Sequence, residues 1–326
     1  MAEEALYFGN ALCPVRSSLP LPEQRAGKDE DMKTPVFTGS ATALVTPYDE
    51  NGINYDLLAK NIHRQAENGT SAIVVCATTG EAPVMSDAER MLLIGFCVRE
   101  AAGQMKVIAG VGGNNTEKAI ASAREAEVLG ADAVLLTAPY YNKASREGLY
   151  QHFTHTADRT GLPLIVYNVP GRTAVQCDET LYARLAEHPR INGVKEASGD
   201  ISLVSRTVRV CGDALTIWSG NDDQTLPMMS LGAKGVISVA SNLVPKGMAD
   251  LCTACLEGDF AAAQRLHDTY SELFELLFIE VNPIPVKAAL QMIGLDSGIY
   301  RLPLCEMEVG HRELLQSCLR SLSLIQ

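Results

Sequence analysis

The 326-residue chain contains no apolar run that approaches the ~20 residues needed to cross a bilayer, so it predicts no membrane partner. Positive charge is also scarce, because 27 lysines and arginines stand against 39 aspartates and glutamates, for a formal net charge of −12. A chain this acidic is not expected to bind nucleic acid or an anionic membrane surface. A small anionic substrate stays possible, since it needs only a local positive site.

Clusters of metal ligands are missing as well. The nine cysteines are scattered and odd in number, and the one CxxC pair, Cys252 and Cys255, has neither a second pair nor a nearby histidine. His152 and His155 are three residues apart without a third ligand. We therefore expect no metal site, and scattered thiols of this kind indicate a reducing, cytoplasmic location.

A complete nucleotide fingerprint is absent. The nearest candidate, GVGGNN at residues 110–115, lacks the third glycine, and no suitable acidic residue ends a following strand. These absences exclude the doubly wound, dinucleotide-binding sheet as an interpretation of the alternating pattern described below.

The first residues differ from everything that follows. Residues 1–31 mix prolines, glycine and charges without sustained periodicity, and they lack the features of a secretory signal or a transit peptide. Met32 follows directly and could itself start the chain. We expect residues 1–36 to form a disordered N-terminal extension.

From Phe37 onward, short apolar strands alternate with amphipathic helices. Glycines follow the helical patterns, and Ser86 with Glu89 forms a capping box. Eight such strand–helix units fit between residues 37 and 257, which predicts a (β/α)₈ TIM barrel. Residues 258–326 contain no further strand pattern and are expected to form a C-terminal region of three helices. The predicted strands are Gly39–Val45, Ala72–Cys76, Lys106–Val111, Ala133–Thr137, Leu164–Tyr167, Asn192–Lys195, Leu215–Ser219 and Gly235–Ser238.

Lys195 ends the sixth of these strands, in the run INGVKEASG. An amine attacks a carbonyl only when it is neutral, and a free lysine has a pKa of about 10.4. Burial lowers that pKa because it penalises the charged form. An ion pair between Lys195 and Glu196 is the alternative interpretation of this segment alone.

Other polar residues end the neighbouring strands, and in a parallel barrel those ends meet at the active site. They provide an amine, phenols, paired hydroxyls, glycines and one arginine, a set that suits imine chemistry with proton transfer by hydroxyl groups. Taken singly, each of them has a structural interpretation as a cap, a packing aromatic or a surface charge. The strand-end residues are Thr78, Thr79, Gly80, Glu81, Tyr140, Tyr141, Asn142, Tyr167, Asn168, Arg172, Lys195, Ser219, Gly220, Asn221, Asp222 and Ser238.

Three of these segments resemble the dihydrodipicolinate synthase / N-acetylneuraminate lyase family of Schiff-base aldolases. They are TTGE at residues 78–81, YNVPGRT at 167–173 and VKEASG at 194–199. The similarity runs from about Phe37 to the C-terminus and includes NPIPVK at residues 282–287. The Arg172 position and the TTGE form are similar to the synthase branch rather than to the sugar-acid lyases.

The resemblance implies a role for each site residue, without a metal or an organic cofactor. Lys195 would form an imine with pyruvate, and the second substrate would be L-aspartate 4-semialdehyde, for lysine and diaminopimelate biosynthesis. Tyr167, Thr78 and Tyr141 would form a proton relay as the other catalytic residues, with Tyr141 reaching a neighbouring subunit of a homotetramer built as a dimer of dimers. The implied substrate-binding residues are Thr79, Gly80, Arg172, Gly220 and Ile237.

Two alternatives stay open at this point. An N-acetylneuraminate lyase or a 2-keto-3-deoxy-sugar-acid aldolase of the same family would share Lys195 and Tyr167 without needing Arg172. A non-catalytic barrel that binds or scaffolds is the more remote alternative. The resemblance also includes a regulatory lysine site, which Asn114 and Tyr140 match, but Arg90 and Lys118 add positive charge there and predict weak feedback by lysine.

Overall fold

The computed structural model of the chain describes residues 33–326, and its strands confirm the predicted barrel. Eight of them are parallel and close in the order β1-β10-β9-β8-β7-β6-β5-β4, while β2 and β3 form a small antiparallel hairpin. The strands are β1 (Gly39–Ala43), β2 (Tyr48–Asp49), β3 (Gly52–Ile53), β4 (Ala72–Val75), β5 (Lys106–Gly110), β6 (Ala133–Thr137), β7 (Leu164–Asn168), β8 (Ile191–Glu196), β9 (Thr216–Ser219) and β10 (Gly235–Ser238).

Helices connect the barrel strands and continue beyond the last one. Their starts follow local rules: Ser86 and Glu89 make the predicted capping box, and Asn115 accepts from the Lys118 backbone N–H. None of the helices in the described part is long and apolar enough to cross a membrane. The helices are α1 (Tyr55–Glu67), α2 (Asp87–Ala101), α3 (Thr116–Val128), α4 (Arg146–Ala157), α5 (Pro170–Thr173), α6 (Glu179–Ala186), α7 (Ile201–Cys211), α8 (Thr225–Ser230), α9 (Pro245–Leu256), α10 (Phe260–Leu276), α11 (Ile284–Met292) and α12 (Val309–Ser321).

Aromatic side chains fill the N-terminal end of the barrel interior. Phe37, just before β1, stacks on Trp218 of β9 with ring centroids 4.9 Å apart, and the Trp218 indole N–H donates to the Phe37 carbonyl at 3.2 Å. Gly193 leaves the space for this indole, because a Cβ atom there would lie 2.6 Å from the Trp218 ring. This end of the barrel is therefore packed with side chains, and the opposite end is free to carry the polar residues.

The contacts of the barrel begin before Phe37. The Lys33 ammonium donates to three carbonyls, those of Ala186, His188 and Ile191, and the Asn192 amide bonds the backbone of residues 34 and 36. Residues 33–36, which the expected extension included, are thus held against the base of β8. The prediction of disorder for the preceding residues concerns positions outside the described range.

Candidate active site

Lys195 lies on β8 and faces the barrel interior. Its side chain is only 4% exposed, and its Nζ lies 4.5 Å from the centre of the Tyr167 ring on the neighbouring strand β7. Burial lowers the pKa of Lys195 to about 8; the Asp222 carboxylate opposes this and the Arg172 guanidinium adds to it. The neutral fraction of the amine near pH 7 is therefore far larger than that of an ordinary lysine, although still the minor form, and the neutral amine is the form that attacks a carbonyl.

Gly220, the residue after β9, lies against the Lys195 side chain. Its backbone N–H donates to the Glu196 carbonyl at 2.8 Å. A Cβ atom at position 220 would lie 2.6 Å from the Ala197 Cβ and 3.1 Å from the Lys195 Cε. Glycine is therefore needed here for close approach, and it leaves room beside the amine.

Tyr167 and Thr78 provide neighbouring hydroxyls at the ends of β7 and β4. Tyr167 is 6% exposed, and burial raises the pKa of its phenol, while Arg172 and a hydrogen bond with the Thr78 side chain lower it. The phenol stays protonated at neutral pH and can pass a proton without adding a charge beside the lysine. The structure thus brings together three of the four predicted catalytic residues.

Thr79 and Gly80 form a tight turn after β4. The Thr79 hydroxyl accepts from the Asn282 side-chain amide at 3.0 Å, and the Gly80 carbonyl accepts from the Thr46 hydroxyl at 2.9 Å. A Cβ atom on Gly80 would lie 3.1 Å from the Leu44 carbonyl oxygen, so the turn has little space for a side chain. The turn is fixed from both sides.

Arg172 lies in α5, at the rim of the barrel, and is exposed. Its guanidinium donates to the Asn282 carbonyl at 3.0 Å. It lines a cavity of about 580 Å³ together with Thr78 and Asn282, whereas Lys195 and Tyr167 lie buried and do not line that cavity. The guanidinium therefore stands at the mouth, between solvent and the buried amine.

Tyr141 is not brought to the other catalytic residues within its own chain. It follows β6, has a φ of +71°, and is 89% exposed. A phenol this exposed is unusual for a large aromatic side chain. Ile237, by contrast, is fully buried on β10 in the interior cluster that includes Tyr167 and Trp218.

Two residues at this end of the barrel receive no role from the sequence alone. Asp222, buried after β9, acts electrostatically on Lys195, and Asn282 touches both Thr79 and Arg172. Asp222 belongs to the strand-end segment SGND at residues 219–222, but nothing in that segment indicates that it acts on Lys195. Asn282 lies in the recognised NPIPVK segment, but its contacts span more than 100 residues of sequence.

Glu81, the last residue of the TTGE segment, has a structural role at this turn. Its carboxylate pairs with the Lys287 ammonium at 2.6 Å, and both side chains are fully buried. Lys287 also donates to the Ile299 carbonyl at 2.8 Å, and its Nζ lies 4.6 Å from the centre of the Tyr48 ring. The pair fixes α11 to the turn that carries Thr78 and Thr79.

One group of three side chains in the described residues has the spacing of metal ligands: Glu280, Glu308 and His311. None of them lines the cavity at the strand ends. They already bond one another, since the His311 Nδ1 lies 2.8 Å from a Glu280 carboxylate oxygen.

Comparison with known proteins finds one family over nearly the whole described chain. Residues 36–322 match the profile of the Dihydrodipicolinate synthetase family. The 4-hydroxy-tetrahydrodipicolinate synthase of Thermodesulfovibrio yellowstonii is 48% identical over 291 residues, which are 89% of this chain and 100% of that protein.

Solved structures agree with the sequence matches. The dihydrodipicolinate synthase of Aquifex aeolicus superposes with a TM-score of 0.87 at 43% identity, covering 88% of this chain and 99% of that one. A chloride-inhibited dihydrodipicolinate synthase from Acinetobacter baumannii, complexed with pyruvate, gives 0.87 at 40% identity, with 88% and 99% covered.

Proposed function

The chain belongs to the dihydrodipicolinate synthetase family and is a lyase that condenses pyruvate with L-aspartate 4-semialdehyde, and we propose that Lys195 carries the pyruvate as an imine. The product is 4-hydroxy-tetrahydrodipicolinate, in lysine biosynthesis. One observation carries the proposal: Lys195 is buried beside the Tyr167 ring, and its pKa is lowered to about 8.

The first half of the reaction builds a nucleophile from pyruvate. The neutral Lys195 amine attacks the keto carbon, the keto oxygen leaves as water, and loss of a methyl proton gives the enamine. The Tyr167 and Thr78 hydroxyls move these protons, with Tyr141 as the third member of the relay. The pyruvate carboxylate is held by the Thr78–Thr79 turn, beside Gly80, and the backbone carbonyl of Ile237 faces the lysine and the pyruvate.

The second half joins the enamine carbon to the aldehyde. Arg172 stands at the mouth, where its planar guanidinium can hold the carboxylate of L-aspartate 4-semialdehyde through two hydrogen bonds. The aldehyde oxygen receives its proton from the hydroxyl relay. Gly220, which has no side chain, leaves room for this substrate beside the Lys195 Cε.

A sugar-acid lyase is the less favoured alternative. Such an enzyme would share the buried lysine and the phenol, but its polyhydroxylated substrate tail would give the Arg172 guanidinium no carboxylate partner. The exposed position of Arg172 at the rim favours an incoming anion.

Two measurements test this proposal. Borohydride should trap pyruvate on the wild-type chain and on Lys106→Ala, which changes a half-exposed lysine on β5, but not on Lys195→Ala. A pyruvate adduct on Lys195→Ala would refute the nucleophile assignment. A coupled assay with pyruvate and several aldehydes should show turnover with aspartate semialdehyde and little with N-acetylmannosamine; the reverse preference would favour the sugar-acid lyase.

The exposed Tyr141 supports a homotetramer in which this phenol enters the site of a neighbouring subunit. Tyr141→Phe and Tyr167→Phe should each lose most of their activity. Mixing the two variants under conditions that exchange subunits should restore activity, because some hybrid sites would receive one intact tyrosine from each chain. A monomer in solution, or mixing without recovery, would contradict the shared site.

Feedback by lysine should be weak. The cavity extends from Arg172 to Asn114 and Tyr140, and Arg90 and Lys118 also line it. These two cations would repel a lysine ammonium group. Strong inhibition of the wild-type chain at low millimolar lysine would contradict this proposal. In that case Lys118→Glu should not make the enzyme any more sensitive to lysine.

A cytoplasmic location fits the thiols of the chain. The eight cysteines of the described residues are all free, including Cys252 and Cys255 of the CxxC pair. Unpaired buried thiols are typical of a reducing compartment.

A further inference from the structure

Asp222 is a buried carboxylate that the mechanism above does not use. It follows β9, the strand that pairs with the Lys195 strand, and is 2% exposed. One carboxylate oxygen, Oδ2, accepts from the backbone N–H groups of Val239 and Ala240 at 3.1 and 3.0 Å. The other, Oδ1, is buried without a hydrogen-bond partner. A buried oxygen left unpaired in this way is uncommon and calls for an explanation.

Burial raises the pKa of Asp222, and its hydrogen-bond partners and Lys195 act in the opposite direction. The Ser238 hydroxyl accepts from the Ser241 N–H, so its own proton is available to bond the Asp222 carboxylate. Two amides and one hydroxyl bonded to a carboxylate stabilise the anion, and so does Lys195. A neutral acid would need an acceptor for its proton, and the unpartnered Oδ1 has none.

We propose that Asp222 is the counter-charge that keeps the imine nitrogen on Lys195 protonated after pyruvate has bound. The amine and pyruvate take up one proton and release one water to give an iminium ion, with its positive charge at the former Nζ. Loss of a methyl proton to the hydroxyl relay then leaves a neutral enamine. Only the protonated imine withdraws electrons strongly enough for that loss, so an anion nearby keeps the reactive form populated. This inference rests on the proposed imine at Lys195.

The groups that face this nitrogen come from several elements. In the described part of the chain, Arg172 of α5 opposes a positive charge on Lys195 and the Tyr167 phenol of β7 is neutral. Cys252 of α9 is buried, and burial, Cys255 and the Asp222 carboxylate raise the pKa of its thiol, so it stays neutral. Among these groups, Asp222 is thus the one that raises the pKa of Lys195, against the lowering by burial and by Arg172. It acts through Lys195 and is a positioning residue.

The test is the pH dependence of two partial reactions in Asp222→Asn. Trapping by borohydride measures the rate of imine formation, and the acidic limb of its pH profile follows the pKa of the free Lys195 amine. Exchange of the pyruvate methyl protons with deuterium measures the rate of enamine formation, and the alkaline limb of its pH profile follows the pKa of the iminium ion. Without the carboxylate both limbs should move to lower pH by about one unit or more, as loss of a nearby opposite charge predicts.

A purely structural role would lower both rates without moving either limb, and unmoved limbs in Asp222→Asn would overturn the proposal. If the asparagine variant does not fold, Asp222→Ser allows the same comparison of pH limbs, because its hydroxyl can still accept a hydrogen bond from one backbone N–H. Asp296→Asn is the matched control, because Asp296 is buried with one unpartnered oxygen and its pKa is set by other groups; its limbs should stay in place. Absence of trapping in the wild-type chain would instead contradict the proposed function itself.

Discussion

Gly220→Ala should slow imine formation through one added carbon atom. Gly220 has no φ in the left-handed range, so the backbone accepts alanine and only space opposes it. The added Cβ would lie 2.6 Å from the Ala197 Cβ, 3.1 Å from the Glu196 carbonyl oxygen and 3.1 Å from the Lys195 Cε. The Ala197 Cβ and the Glu196 carbonyl are fixed to the backbone and cannot move independently of it. The Lys195 side chain and the turn after β9 must therefore both shift.

The expected magnitude follows from this crowding. Adding a methyl group to a packed interior costs about 1–3 kcal/mol of unfolding free energy. A misplacement of the reacting group by up to 1 Å lowers the rate by as much as about 100-fold. We therefore expect pyruvate trapping by Gly220→Ala to be about 10- to 100-fold slower, with a loss of about 1–3 kcal/mol in denaturant unfolding.

The control for this change is Gly310→Ala in α12, where an added Cβ meets nothing within 4 Å. It should keep the wild-type trapping rate and unfold at the same denaturant concentration or a slightly higher one. If Gly220→Ala traps pyruvate at the wild-type rate, the argument that this glycine sets the position of Lys195 is refuted.

Three further outcomes are expected. Arg172→Ala should impair the use of aspartate semialdehyde far more than pyruvate trapping, and equal loss of both in steady-state and trapping assays would mean that the arginine is structural. Because attack needs the neutral amine, wild-type trapping should rise with pH up to about 8 and then level off, and a rise that continues toward pH 10 would mean that burial does not lower the Lys195 pKa. Lys287→Met leaves the Glu81 carboxylate buried and unpaired, so denaturant unfolding should show a loss of about 3–5 kcal/mol. Lys106→Met, which breaks a half-exposed pair, should lose about 1 kcal/mol at most, and equal losses in both variants would contradict the importance of burial.

The barrel and part of its site could be predicted from the sequence because both depend on local patterns. Alternating apolar strands and helices fix the topology, and the end of each strand places its polar residue at a shared rim. Lys195, Tyr167 and Thr78 can therefore be grouped from the sequence alone, and the structure does bring them together.

The contacts of Asn282, Lys287 and Asp222 could not be predicted in the same way. Asn282 meets Thr79 across 203 residues, and Lys287 pairs with Glu81 across 206. Such pairings depend on how α11 packs on the barrel, which no periodicity specifies. Asp222 lies close in sequence to Gly220, but its unpartnered oxygen becomes visible only when burial and hydrogen bonds are known together.

The aromatic stack of Phe37 on Trp218 leaves the opposite end of the barrel as the approach for substrates. Arg172 lines the cavity at that end. In the proposed reaction, both substrates and the water released when pyruvate joins Lys195 would therefore pass the same rim.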